Sequence, residues 1–197
     1  MNKLIIITLS TTFFLVDVIA GWKVEYPFTN MLETVYINNG KHLLRVDSRQ
    51  KEEFVIAEGT ETIGEFAFDA CFDIPSVIIP DSVTNIMVGA FAGCRSLTNV
   101  VFGTGLREIG EKAFLNCQKL KRVELPDSLE TVGSGVFWLH TLREVKIGSG
   151  LRNVDSHAFY VDNLPSFTVS PSNQWLRVEN GKIVRKNENE VQSTVNP

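Results

Sequence analysis

The sequence predicts a repeat solenoid: mainly short parallel β-strands joined by turns and short helical segments, with a β-hairpin cap at each end. Three observations predict it. An Ala-Phe pair recurs as Ala67-Phe68, Ala90-Phe91, Ala113-Phe114 and Ala158-Phe159, with Val136-Phe137 in the fourth place, and successive phenylalanines lie 23, 23, 23 and 22 residues apart. Five residues before each phenylalanine stands a β-branched residue: Ile63, Ile86, Ile109, Val132 or Val154. Apolar residues two apart recur in the same register, as Phe54 and Ile56, Val77 and Ile79, Val100 and Phe102, Val123 and Leu125, Val145 and Ile147, Phe167 and Val169. One such coil cannot bury its own apolar face, so a register kept this long requires coils stacked on one another.

Taken in order, residues 1–20 have the features of a secretory signal. Lys3 gives a positive start, Leu4 to Val16 is mostly apolar, and Val18-Ile19-Ala20 offers compact residues for cleavage before Gly21. A retained anchor would want about 20 unbroken apolar residues, and Asp17, Ser10 and three threonines interrupt this one. No second stretch of that kind follows, so no membrane span is expected in the mature chain. Residues 21–53 are expected to form an amino-terminal β cap. Trp22, Val24, Tyr26 and Phe28 alternate like one strand, and Val35 to Leu44 reads as a hairpin around Asn39-Gly40.

Residues 54–170 are the solenoid, about five coils of 22–23 residues. Each strand is followed by a turn: Pro80-Asp81-Ser82, Gly103-Thr104-Gly105, Pro126-Asp127-Ser128 or Gly148-Ser149-Gly150. An apolar residue (Val83, Leu106, Leu129 or Leu151) then re-enters the core ahead of the β-branched residue and the Ala-Phe pair. Alternation decides what faces out: with Val100 and Phe102 inward, Asn99, Val101 and Gly103 face solvent. Residues 171–197 form a carboxyl-terminal hairpin cap around Asn180-Gly181. Caps are expected because an open end of a stack exposes apolar side chains and strand edges. Pro197 falls near the place of Pro80, which raises the hypothesis of a longer relative or of a chain truncated after Pro197.

A family resemblance rests on these columns. Ile79-Pro80-Asp81-Ser82-Val83, Ile86, Ala90-Phe91-Ala92-Gly93-Cys94 and Leu97-Thr98-Asn99-Val100 resemble the BspA-type leucine-rich repeat, over about residues 35–197. Departures are modest: Met87 stands where Gly64, Gly110 and Gly133 stand, and His140 replaces the cysteine of earlier coils. The resemblance implies a leucine-rich-repeat-like solenoid with an adhesive or recognition role in a surface or secreted protein. It supplies no catalytic motif.

Net charge is −4, so there is no basic excess to attract nucleic acid or an anionic membrane. His-Glu-x-x-His, Gly-x-Ser-x-Gly, Cys-x-x-Cys and a phosphate-cradling glycine loop are all lacking, and no enzyme or cofactor is expected. His42, His140 and His157 have no evident catalytic partner. Cys71, Cys94 and Cys117 occupy one column, with His140 and Asp162 at the matching later places. Their odd count does not suit a disulfide framework. Column members spaced at about 4.8 Å span some 14 Å, so three cysteines and His140 cannot converge on a zinc ion, which needs ligands within about 2.3 Å. No metal is expected, and the thiols read as small buried core groups. An oxidised neighbouring pair stays open, since adjacent rungs approach disulfide distance.

Two surfaces are candidate binding sites. The central outward strand column reads Val55, Ile78, Val101, Glu124, Lys146, Thr168, and beside it run Glu53, Ser76, Asn99, Arg122, Glu144, Ser166. Its first half is an apolar stripe, and Val55, Ile78 and Val101, with Asn99, Arg122, Glu124 and Lys146, form the sheet-face candidate. Arg122 should neighbour Glu144, and Glu124 should neighbour Lys146, neutralising one another at about 0.2–1 kcal/mol per pair. The stripe reads either as a contact site or as aliphatic residues that raise strand propensity. The second candidate is an edge that grows aromatic along the column Asp69, Ala92, Leu115, Trp138, Tyr160; Leu115, Trp138 and Tyr160 read as a hot spot or as core folded over the coil edge. The expected function is binding or adhesion to a protein or other extracellular macromolecule of a host or neighbouring cell, by a secreted or cell-surface protein. The alternative is a structural component of an envelope or extracellular matrix, self-associating through the Leu115–Trp138–Tyr160 edge.

Overall fold

The structure, a computed structural model, describes residues 34–138, 141–159 and 165–186, with one short antiparallel pairing of Asn2–Lys3 and Asp17–Val18. Most of the expected signal, the alternating stretch at residues 22–28, His140, Tyr160, Asp162 and the residues after Lys186 lie outside the described residues.

The expected strands form where alternation places them: Phe54–Val55, Ser76–Ile78, Asn99–Val101, Arg122–Leu125, Glu144–Ile147 and Ser166–Val169. Neighbours are parallel and shifted by one coil, as in Val77 opposite Val100 and Val145 opposite Phe167. Six such strands bound five complete coils. They form two three-stranded sheets instead of one ladder, with the break between Asn99–Val101 and Arg122–Leu125.

The turns account for where the break falls. A Cβ on Gly103 would sit 2.3 Å from the Pro80 carbonyl oxygen, and one on Gly105 1.9 Å from that of Asp81. The Thr104 N–H donates to Asp81 Oδ1 at 2.7 Å. The same nesting recurs when Gly148-Ser149-Gly150 settles on Pro126-Asp127-Ser128, with the Ser149 N–H on Asp127 Oδ1 at 2.7 Å. Each glycine turn thus seats on the Pro-Asp-Ser turn of the previous coil, and the sheet parts between one nested pair and the next. This corrects the expectation for Gly103, which is buried under the preceding turn instead of facing solvent.

A second, longer ladder was not anticipated. His42–Arg45, Thr62–Ile63, Asn85–Ile86, Glu108–Ile109, Thr131–Val132 and Asn153–Val154 pair in parallel, and Val35–Ile37 adds antiparallel at the amino-terminal end. Its inward column is the β-branched one, Ile63 to Val154. It runs unbroken past the gap in the first ladder, with Ile109 opposite Val132.

The expected short helical segments do not form: among the described residues the Ala-Phe stretches are turns. Phe66, Gly89, Lys112 and Gly135 have φ of 51°, 62°, 56° and 61°, and Ala70, Gly93 and Asn116 repeat this four residues later at 61°, 78° and 58°. A left-handed residue at that interval stops a right-handed helix from propagating. Instead the turn presents its phenylalanine inward. Phe68, Phe91, Phe114, Phe137 and Phe159 are fully buried and stack at 4.3, 4.9, 5.5 and 5.4 Å between ring centroids.

Both hairpins form with positive φ at Asn39 and Gly40 (57° and 87°) and at Asn180 and Gly181 (52° and 75°), which Asn-Gly tolerates. Leu176–Glu179 and Lys182–Arg185 make a separate two-stranded sheet. Buried Asn173 ties that hairpin to the last coil: its Nδ2 donates to Gly148 O and Leu151 O at 2.9 and 3.0 Å, and its Oδ1 accepts the N–H groups of Trp175 and Leu176.

Candidate functional site

The outward face of the first ladder divides chemically at the sheet break. On the amino-terminal sheet, Val55, Ile78 and Val101 lie opposite one another in register, Val55 61% and Val101 46% exposed with Ile78 half-buried between them. Beside this stripe runs a hydrogen-bonded polar rail: Asn99 Nδ2 donates to Ser76 Oγ at 3.3 Å, and Ser76 Oγ donates to Glu53 Oε2 at 3.0 Å. On the carboxyl-terminal sheet the expected charge pairs form, Arg122 Nε to Glu144 Oε2 at 3.2 Å and Lys146 to Glu124. The Glu124 carboxylate holds the Lys146 ammonium charged to higher pH than usual, first by its hydrogen bond and then by its field. The seven residues of the sheet-face candidate are therefore two groups. Val55, Ile78, Val101 and Asn99 form an apolar strip with a polar border, and Arg122, Glu124 and Lys146 belong to a self-neutralised patch across the break.

At the other candidate surface Trp138 is 40% exposed and Leu115 half-buried, so the tryptophan stands on the surface and not in the core. Tyr160 is outside the described residues. A further apolar cluster was not legible from sequence: Phe66, Met87 and Val88 are exposed, the Phe66 N–H donates to Val88 O at 3.2 Å, and the Phe66 ring covers Gly89. The available signal was a bulky aromatic in a column otherwise held by Gly89, Lys112, Gly135 and His157.

The cysteine column holds three free, buried thiols. Cys94 Sγ lies 3.7 Å from Phe68 O and Cys117 Sγ 3.2 Å from Phe91 O, so each thiol donates to the carbonyl of the phenylalanine one coil back. Burial pushes the Cys71 and Cys117 thiols up to about 12, and Cys94 upward as well, which keeps them protonated and unreactive. Half-buried His42 has its pKa lowered by desolvation. His157 is exposed, its Nδ1 3.0 Å from Ser156 Oγ and 3.5 Å from Asp155 Oδ1. Among the described residues no three metal-ligating side chains gather, and no helix is long and apolar enough to cross a membrane.

The stacked coils, their two ladders and the phenylalanine column agree with a family model described as "BspA type Leucine rich repeat region", which matches residues 48–177 in six copies. The chain belongs to the BspA-type leucine-rich repeat family. Leucine-rich repeats generally mediate protein interactions. No curated protein matches the chain. Solved structures do. A Treponema pallidum leucine-rich repeat protein, TpLRR, is 26% identical with a TM-score of 0.58, over 66% of this chain and 68% of its own. A leucine-rich cell surface protein of Faecalibacterium prausnitzii is 25% identical with a TM-score of 0.56, over 72% of this chain and 39% of its own. The pneumococcal vaccine antigen PcpA, 20% identical with a TM-score of 0.55 over 79% of this chain and 49% of its own, shares the fold. This chain spans less than half the length of the last two.

Proposed function

We propose that this BspA-type repeat is a secreted or cell-surface recognition protein that binds an extracellular protein of a host or neighbouring cell through the strip Val55–Ile78–Val101. The observation that carries this reading is the contrast across the sheet break. Outward charges are paired on the carboxyl-terminal sheet, while the amino-terminal sheet presents contiguous aliphatic side chains with a hydrogen-bonded polar border. A dry apolar centre inside a polar rim is the usual anatomy of a protein contact. Full burial of a valine or isoleucine is worth about 1.5–3 kcal/mol, and a partner that covers the exposed part of these three side chains gains a share of that from each. The secretory features of residues 1–20 and the cell surface protein among the structural relatives support an extracellular location.

Replacing Val55, Ile78 and Val101 together with serine tests the reading. Partners captured from extracellular matrix or host-cell surface extracts by the mature chain should be lost with the triple variant, while its melting curve stays cooperative. Retained capture by a folded triple variant would move recognition elsewhere. The exposure of Trp138 favours a second reading, self-association through the Leu115–Trp138 edge. Light scattering decides that one: a monomer at high concentration counts against it, and a dimer lost on Trp138→Ala supports it.

A further inference from the structure

A second interaction surface lies at the carboxyl-terminal end of the solenoid. Ser166–Val169 is the last strand of its ladder, and the hairpin that follows forms a sheet of its own without joining it. Between them is a cleft of about 370 Å³. Phe167, Val169, Leu176 and Val178 contribute apolar lining, and Arg177 and Lys186 contribute the charged lining.

The ladder dictates what the strand edge offers. The Ile56 N–H donates forward to Ile78 O at 3.0 Å and the Ile79 N–H to Val101 O at 2.9 Å, so the inward residue of each rung bonds to the next coil. Val169 holds that place in the last rung, opposite Ile147. By that alternation its N–H points towards the place of a seventh strand, and Val169 itself lines the cleft. The hairpin supplies charge. Over residues 171–197, the four cations Arg177, Lys182, Arg185 and Lys186 outnumber the three anions Glu179, Glu188 and Glu190, in a chain of net charge −4. Glu179 holds one Arg177 nitrogen at 2.9 Å, another donates to Arg185 O, and Lys186 Nζ bonds Asn173 O. Among the described residues no acidic side chain lines the cleft.

We propose that this cleft takes an extended acidic peptide segment of a partner protein as a seventh, parallel rung. Its main chain pairs with Ser166–Val169, alternate apolar side chains rest on Val169 and Val178, and its carboxylates meet Arg177 and Lys186. Strand addition of this kind draws affinity from main-chain hydrogen bonds and specificity from alternate side chains. The peptide site is separate from the Val55–Ile78–Val101 strip, so either stands if the other fails.

The test is fluorescence anisotropy of the full chain with a labelled peptide of alternating glutamate and valine. The proposal expects saturable binding. Methylating the peptide's backbone nitrogens and replacing glutamate with lysine should each weaken it at least about tenfold. Arg177→Glu with Lys186→Glu should do the same in a chain that still melts cooperatively, and the two peptide changes decide the matter without any protein variant. No binding at about 1 mM peptide, indifference to N-methylation, or equal affinity for the lysine peptide would each overturn the proposal. Self-association of the chain that excludes the peptide would give the cleft to a second copy and overturn the proposed occupant.

Discussion

Replacing Phe114 with alanine tests the ring column at a rung that meets three other described rings. The side chain is fully buried, its ring stacks 4.9 Å from Phe91 and 5.5 Å from Phe137, and Phe102 meets it edge-on at 5.8 Å. Truncating a buried phenylalanine costs about 3–5 kcal/mol through lost burial and the cavity left behind. Each ring pair adds about 0.5–1.5 kcal/mol beyond area, so three pairs put Phe114 near the top of that range, at about 4–5 kcal/mol. Phe159, at the end of the column, touches only Phe137 at 5.4 Å and Phe167 at 5.3 Å among the described rings. Its alanine variant should lose about 1 kcal/mol less, one ring pair fewer. Whole domains are stable by about 5–15 kcal/mol, so Phe114→Ala should sit near the edge of folding. Urea denaturation followed by circular dichroism measures both variants. A loss below about 2 kcal/mol at Phe114, or a larger loss at Phe159, would refute the stacked column.

The turns and the thiols supply two further predictions. Gly105→Ala and Gly150→Ala each drive a methyl into a carbonyl oxygen of the preceding turn, so each should cost about 1–3 kcal/mol in the same denaturation assay, and neutral variants would remove the nested turns as the cause of the sheet break. The Cys71 and Cys117 thiols keep their protons to about pH 12 when folded, whereas unfolded cysteine ionises near about 8.5. Above the unfolded value the unfolded chain holds fewer protons, so stability falls with rising pH by about 1.4 kcal/mol per unit per thiol up to the folded value. Cys117→Ala should flatten that alkaline limb relative to the native chain, and parallel limbs would contradict the burial ascribed to this thiol.

Much of the scaffold was legible because its period is long and its columns independent. Phe68 to Phe159 announced the core, and apolar residues two apart, as in Arg122-Val123-Glu124-Leu125, placed the first ladder and its outward column. The pairs Arg122–Glu144 and Glu124–Lys146 followed from a one-coil shift. The second ladder stayed hidden because strands such as Thr62–Ile63 have only two residues, too short for alternation to show. The turns were expected to include helical pieces because Phe66, Ala70 and Lys112 are not residues that signal left-handed backbone. Pro-Asp-Ser and Gly-Thr-Gly were visible as turns, but their nesting, and with it the division of the sheet, depends on close approach of backbone from different coils, which no local pattern encodes. Of the candidate surfaces, the aliphatic stripe could be named from sequence. The cleft beside Val169 could not, since it arises from a ladder ending where a hairpin begins.

The alignment of outward residues across neighbouring coils carries the whole account, and paired cysteines measure it directly. Ile78 and Val101 lie opposite each other on adjacent parallel strands, while Val55 and Val101 are two rungs apart. Strands spaced at about 4.8 Å bring the first pair within disulfide reach, and about twice that distance excludes the second. Under mild oxidation, Ile78→Cys with Val101→Cys should bridge and Val55→Cys with Val101→Cys should not, as read by peptide mass mapping. A bridge in the second pair and none in the first would contradict the stacking.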